Sequence, residues 1–307
     1  LPELFYHTGE EVSHARWAYY SLITGMFVKA FAGTIGNWCG EHGLKLTGHI
    51  LAEDSLTSQT ACSGAAMRFY EHMQIPGIDL LTEHWDVFGA TRQCVSAARQ
   101  FGKPVRLTEI YGCTGWDFSF AGHKALGDWQ YALGINFRCQ HLAWYSMSGE
   151  SKRDFPASIS CQSPWSEKYS LVEDYFARIG SVLTGGAEIR ELLLVHPLES
   201  FWSVSLRHPE VVPEKRSAMD SDFEWITREL LSENLDFDYG DEEILSRLGR
   251  AGQEQLQVGK AVYRSVLIPQ LKTIRSSALE LLKQFALNGG QVCYLGTAPR
   301  CVDAVQS

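Results

Sequence analysis

Gly102-Lys103-Pro104-Val105-Arg106-Leu107-Thr108-Glu109-Ile110-Tyr111-Gly112 is the stretch on which the fold turns. Apolar residues at helical spacing over 89–101 stop at Gly102, Pro104 opens a short apolar strand over 105–109, and an acidic residue stands where that strand ends. The same unit recurs on both sides. Upstream, a helical pattern over 14–43 is closed by Gly43, and a strand follows over 44–50. The loop Leu51-Ala52-Glu53-Asp54 leads into a helix near 62–73, and Pro76-Gly77 introduces a strand over 78–81. Downstream, a helix near 121–133 stops at Gly134 before a strand over 135–141.

Four strand–loop–helix steps of about thirty residues predict parallel strands joined by right-handed helical crossovers. Polar and aromatic residues crowd after every strand: Glu53-Asp54, His84-Trp85, Glu109 with Tyr111, and His141 to Ser146. A closed barrel brings all such loops to one mouth, whereas an open sheet uses only those at a switch point. The expected fold is therefore α/β, the C-terminal part of a TIM (β/α)8 barrel over residues 1–187. A long irregular stretch, 148–167, reads as a binding loop or lid. From Glu191-Leu192-Leu193-Leu194-Val195 a new α/β pattern begins. It has helices near 221–233 and 276–287 and strands at 235–238, 262–268 and 291–295, and it predicts a flavodoxin-like doubly wound domain over 188–307. That unit contains no G-x-G-x-x-G and no P-loop, so its pattern names no nucleotide.

Chemistry is expected at the mouth. Glu53 and Glu109 end strands two βα units apart, and paired carboxyls are what cleavage of a glycosidic bond requires. The rings of Trp85, Tyr111, Trp116, Trp144, Tyr145 and Trp165 fall in the same loops, where they suit the apolar faces of sugars. Trp17, Trp129 and Trp225 lie in helical stretches and read as core. His49, His84 and His141 sit at or just past strand ends, placed to hold hydroxyls, tune the carboxyls, or join Glu53, Asp54 or Glu109 around a metal. No H-x-x-x-H or H-E-x-x-H pattern supports a metal, and no metal ligand is assigned. Lys152, Arg153 and Asp154 form a polar cluster suited to clamping a further sugar unit or closing the loop by an ion pair. Three readings follow: a glycoside hydrolase, an inert carbohydrate-binding relative, or a metal-dependent hydrolase.

Bulk properties narrow the classes. A net charge of -9 and a sequence pI near 5.6 argue against nucleic-acid binding. No run approaches the length of a membrane span. Eight cysteines, none in a C-x-x-C pair, read as small core residues, and the compartment stays open. The chain starts without Met and without a targeting pattern, and it reads as a piece of something longer. Half a barrel leaves strand edges unpaired, so poor solubility is expected of it alone.

Leu46-Thr47-Gly48-His49 with Glu53, Met73-Gln74-Ile75-Pro76-Gly77-Ile78-Asp79, Thr108-Glu109-Ile110-Tyr111-Gly112, His141-Leu142-Ala143-Trp144-Tyr145-Ser146 and Pro164-Trp165 are similar to segments of the large bacterial enzymes of glycoside hydrolase family 106. These are the α-L-rhamnosidases and their relatives, and the resemblance covers roughly residues 1–185. It implies a retaining or inverting exo-acting glycosidase on oligo- or polysaccharide side chains, inverting in the rhamnosidase-like group, with no cofactor other than a calcium sometimes in the site. A bacterial cytoplasm or periplasm is implied as the setting. Glu53 and Glu109 take the acid and base positions by this match. Counted back from the last strand, Glu109 lies on the seventh strand and Glu53 on the fifth. Retaining barrel glycosidases use the fourth and seventh, so a partner carboxylate upstream of Leu1 is a further expectation. The second unit resembles the glutaminase-like, trimerisation-type domain that follows the barrel in some β-galactosidases, which implies a homo-oligomer formed through it.

Overall fold

A computed structural model describes residues 2–83, 85–150, 153, 155–206 and 217–307. The first part of the chain contains α1 (Pro2–Phe5), α2 (His14–Phe27) running through a π-helical turn into α3 (Thr34–Glu41), β1 (Thr47–Gly48), α4 (Leu56–Cys62), α5 (Ala66–Tyr70), β2 (Ile75–Leu80), α6 (Phe88–Phe101), β3 (Leu107–Ile110), α7 (Phe120–Ala132), β4 (Phe137–Gln140) and α8 (Ser170–Leu183). Strands β1 to β4 pair in sequence order, all parallel, as a curled half-barrel sheet. The strand expected over 44–50 shrinks to Thr47–Gly48, and Pro76-Gly77 lies inside β2 rather than before it. The single helix expected near 62–73 is two short ones, broken at Ser63-Gly64 where Gly64 takes φ +83°.

Strand alternation sets the two faces of this sheet. Ile78, Leu80, Thr108 and Ile110 are buried under the helices, while Asp79, Glu109 and Cys139 are register partners on the opposite, open face. Phe137 on that face is 51% exposed. The cysteine expectation fails as well. Only Cys94 is buried, and five of the eight are exposed, Cys139 on the open face among them.

The later part holds β5 (Leu192–Val195), α9 (Leu198–Val204), α10 (Ala218–Ser232), β6 (Phe237–Gly240), α11 (Glu242–Leu248), β7 (Gly249–Ala251), β8 (Leu256–Val258), β9 (Ala261–Tyr263), β10 (Ser265–Ile268), β11 (Thr273–Ile274), α12 (Ser276–Leu287), β12 (Gln291–Tyr294), β13 (Cys301–Val302) and β14 (Val305–Gln306). A second parallel sheet runs β12-β10-β5-β6. The strand expected over 262–268 is two, split at Arg264. Its first half closes an antiparallel β7-β8-β9 meander that alternation over so few residues did not reveal. Trp225, expected in the core, is 61% exposed on α10.

Helix α6 joins the two sheets, packing on β2 with one face and on β6 with the other. β6 is an edge strand, and its outer backbone groups are met by side chains at helical spacing on α6. Arg92 donates to the Phe237 carbonyl (3.2 Å), the Tyr239 amide donates to Ser96 Oγ (2.8 Å), and Gln100 donates to the Tyr239 carbonyl (2.8 Å). Three polar residues thus replace a neighbouring strand and satisfy an edge that would otherwise be exposed or orphaned. At the start of α6 a Cβ on Gly89 would lie 2.6 Å from the Asp54 carbonyl, so only glycine lets the 51–55 loop pass this close.

His196 follows β5 and stacks on Tyr239, with ring centroids 5.5 Å apart. Burial pulls its pKa down to about 4 against a smaller opposing pull from Asp241. The unfolded chain binds a proton here from about pH 6.5, whereas the folded chain does not until near its own lower value. Stability is therefore lost as pH falls through that window, by an amount on the order of 3 kcal/mol. Urea midpoints at about pH 7 and about pH 5 are expected to differ less in His196→Phe than in the natural chain, and equal differences would refute the assignment.

Candidate active site

Glu109 stands next to last in β3, in register with Asp79 on β2. Each of its oxygens faces an imidazole: Oε2 lies 3.3 Å from His49 Nε2, just past β1, and Oε1 lies 3.4 Å from His141 Nε2, just past β4. Asp79 Oδ2 is 3.7 Å from the same His49 nitrogen. Two loops, those leaving the outer strands β1 and β4, and the neighbouring strand β2 therefore converge on one carboxylate of β3. Backbone geometry marks the same rim. Ala52, Thr82, Tyr111 and Cys113 hold φ of +59°, +63°, +75° and +62°, and all four lie in the loops leaving β1, β2 and β3. Left-handed conformations in residues with a side chain cost of order 1–3 kcal/mol each, and such strain gathers where function constrains the chain.

Electrostatics separate the carboxyls. Glu53 is 4% exposed, and burial raises its pKa well above the usual carboxylate range. Its Oε2 accepts from the Ile50 amide (3.1 Å) and its Oε1 from the Asp79 amide (3.2 Å), so this side chain pins the turn to β2. Asp79 is also raised, by burial first, with His49 pulling it down and Glu109 pushing it up. Its Oδ1 is buried without a partner.

Among the sequence-derived candidates, the structure brings together His49, Glu109 and His141, with Glu53 directly behind. Trp116 and Trp144 meet with centroids 5.1 Å apart at the end of the same sheet. Trp85 is 38% exposed beside Trp129, and Tyr145 is fully exposed. Tyr111 does not belong to the mouth. It is buried on the helix side of the sheet, donates to the His123 carbonyl and accepts from Arg138. Its left-handed φ turns it under α7. Asp54 also faces elsewhere. It accepts from Ser58 Oγ at the start of α4 and lines a different cleft. Trp165 donates its indole N–H to the Ser158 carbonyl, a contact within its own loop. Arg153 pairs with Glu150 on the surface. His84, Lys152 and Asp154 lie outside the described residues.

Sequence reasoning missed Asp79. Its signal was present: Ile78-Asp79-Leu80 and Thr108-Glu109-Ile110 carry the same apolar–acidic–apolar pattern at the same place in consecutive units. In a sheet whose other face is buried, an acidic residue between two inward apolar ones must face the mouth.

His49, Asp79 and Glu109 each offer a ligand atom, and these atoms lie within 4.8 Å of one another. One imidazole and two carboxylates suit a borderline divalent ion. Calcium, which takes six to eight oxygens, fits this donor set poorly.

No protein-family model matches the chain, and no curated protein matches it. Among solved structures, a rhamnosidase from Novosphingobium sp. PP1Y superposes with a TM-score of 0.71 at 19% identity, over 93% of this chain and 26% of that one. A β-galactosidase from the psychrophilic Marinomonas ef1 gives 0.65 at 11% identity, over 99% and 47%. Gan42B, a GH42 β-galactosidase from G. stearothermophilus, gives 0.63 at 13%, over 98% and 44%. This chain spans less than half the length of each. It has a fold like that of these glycoside hydrolases.

Proposed function

We propose that the chain carries part of the active site of a glycoside hydrolase that removes a terminal sugar, rhamnoside-like or galactoside-like, from an oligo- or polysaccharide. The observation that carries this reading is Glu109 at a barrel strand end, bracketed by His49 and His141 and in register with Asp79. Glu109 is assigned the attack on the anomeric carbon or the activation of water. Asp79, whose proton affinity is raised and which reaches the mouth, is assigned the proton donor, and Glu53 fixes the Asp79 backbone from behind. The nearest Asp79 and Glu109 oxygens lie within 4.8 Å, which favours the close pairing of about 5–5.5 Å used by retaining enzymes over the wider inverting one. Trp116 and Trp144 then form a wall for the sugar ring.

The proposed domain division is 1–187 and 188–307. The order β6-β5-β10-β12, which is 2-1-3-4 when the strands are numbered along the chain, supports a flavodoxin-like reading of the second unit. A second functional reading, a metal-dependent hydrolase, is favoured by the His49, Asp79 and Glu109 grouping. Aryl α-L-rhamnosides and aryl β-D-galactosides offered to the full chain, with and without a chelator, decide among the readings. Aglycone release indifferent to the chelator is expected. Release abolished by the chelator would favour the metal reading. Sugar binding without release would make the chain a carbohydrate-binding relative.

A further inference from the structure

The carboxylates at the mouth are joined by something that sugar cleavage does not require, an imidazole nitrogen with no proton of its own. His49 Nδ1 lies 3.5 Å from the Ile50 carbonyl oxygen. A carbonyl can only accept, so this contact assigns the ring proton to Nδ1 and leaves a lone pair on Nε2 of the neutral ring. Nε2 stands 3.3 Å from Glu109 Oε2 and 3.7 Å from Asp79 Oδ2. The three ligand atoms all lie within 4.8 Å of one another. Two carboxylate oxygens and a bare nitrogen repel one another unless positive charge stands between them.

The spacing suits a metal ion better than direct hydrogen bonds. Both separations from His49 exceed the distance of about 2.7–2.9 Å usual for a charge-assisted hydrogen bond. Two ligands each about 2.0–2.1 Å from a tetrahedral zinc ion stand roughly 3.3–3.4 Å apart. The surroundings hold these side chains as ligating groups are commonly held. His49 is turned by the Ile50 carbonyl, Glu109 sets its other oxygen 3.4 Å from His141, and Glu53 accepts from the Asp79 amide at 3.2 Å. Two carboxylates balance a dication, and the nitrogen beside them favours a borderline ion over oxygen-seeking calcium.

We propose that His49, Asp79 and Glu109 form a three-ligand site for a borderline divalent ion of the zinc class, and that this ion inhibits the chain as a glycosidase. Three protein ligands leave a fourth position for water. An ion so placed holds both carboxyls to which the hydrolytic reading gives attack and proton donation, so neither is free to act. The inhibitory half of the proposal rests on that reading, whereas the binding half stands on the geometry alone.

Calorimetric titration of the metal-stripped full chain with zinc chloride provides the test. One ion per chain is expected, with affinity at least about a hundredfold lower in His49→Ala, since even residues behind the ligands are worth 10–100-fold. Asp79→Asn, which keeps the side-chain volume, is expected to do the same and serves where His49→Ala does not fold. Calcium chloride is expected not to compete. Cobalt(II), a coloured substitute, is expected to show the visible bands of a four-coordinate ion without the near-ultraviolet band of a thiolate ligand. Unchanged zinc affinity in a folded variant, displacement by calcium, or a thiolate band placing the ion on an exposed cysteine would each overturn the site.

With an aryl glycoside, zinc is expected to stop release by the stripped chain, and a chelator to restore it. Release that requires zinc would overturn the inhibitory role in favour of a metal-dependent hydrolase. Zinc bound through His49 in a chain that hydrolyses nothing would overturn only the catalytic reading. Hydrolysis by a chain that binds no zinc would overturn only this proposal.

Discussion

Replacing Glu109 by Gln is expected to lower kcat by about 10²–10⁴-fold while KM stays within a few-fold, the usual range for removing one group that attacks or moves a proton in the transition state. The amide keeps the volume of the side chain and its place opposite Asp79, so binding determinants survive. It loses the charge that builds up a bond to the anomeric carbon or takes a proton from water. His49 and His141, each within 3.4 Å of a Glu109 oxygen, would then face a neutral group, and any charged imidazole would lose its counter-ion. Asp79→Asn separates the roles. If Asp79 donates the proton, this variant fails most on substrates with poor leaving groups and far less on activated aryl glycosides, which need little protonation. If both variants lose activity equally on every leaving group, Asp79 is a positioning residue and another carboxyl is the acid. A Glu109→Gln variant with natural turnover would remove the glycosidase reading from this mouth altogether.

How much of this was legible in the sequence depended on whether a signal is local. The alternation of Gly stops, Pro starts and apolar runs gave the parallel strands β2, β3 and β4 and the helices between them, because backbone preference and burial act together there. Glu109, His49 and His141 could be found because a strand-end position in a barrel is itself a functional address. Asp79 was hidden by its neighbours, as a single acidic residue in an apolar run reads as strand before it reads as site. Tyr111 was misplaced because one left-handed residue turned it from the mouth to the helix layer, and no pattern announces that turn in a residue other than glycine. The polar face of α6 would be taken for a solvated surface in any sequence reading. Its Arg92, Ser96 and Gln100 in fact complete the edge of β6, a partnership across some 140 residues that only the folded chain reveals.

Arg68→Met is expected to cost about 3–5 kcal/mol of folding free energy, the usual result of removing one partner from a buried ion pair. Arg68 lies on α5, is 5% exposed, and reaches across to the later part of the chain. It meets Glu199 at 2.7 Å and both oxygens of Asp241 at 2.9 and 3.0 Å, while its guanidinium lies over the Trp202 ring. Met fills much of the volume and keeps the contact with Trp202, so the loss is charge rather than packing. The two carboxylates fare differently without it. Glu199 retains Arg275 at 2.7 Å and the Trp17 indole N–H at 2.8 Å. Among the described residues Asp241 keeps the Glu243 and Ile244 amides and no second cation, so most of the cost falls on it.

The pH dependence of the loss identifies it. Burial alone would raise the Asp241 pKa, but Arg68 and the Ile244 amide outweigh burial and hold it below the usual range. In the natural chain this carboxylate therefore contributes stability above the unfolded value near 3.8, and that contribution is lost as pH falls through the lower folded value. With Arg68 gone, burial dominates and the folded pKa rises above the unfolded one, so the penalty grows as pH increases past about 4. Urea unfolding should show the gap between the natural chain and Arg68→Met widening from acid to neutral pH, with Arg68→Met/Asp241→Asn recovering part of it at neutral pH. A gap below about 1 kcal/mol, or one independent of pH, would mean that the pair breaks even against its own desolvation, as buried pairs sometimes do. The two parts of the chain would then be joined by the α6–β6 edge and by the packing of α2 on α9.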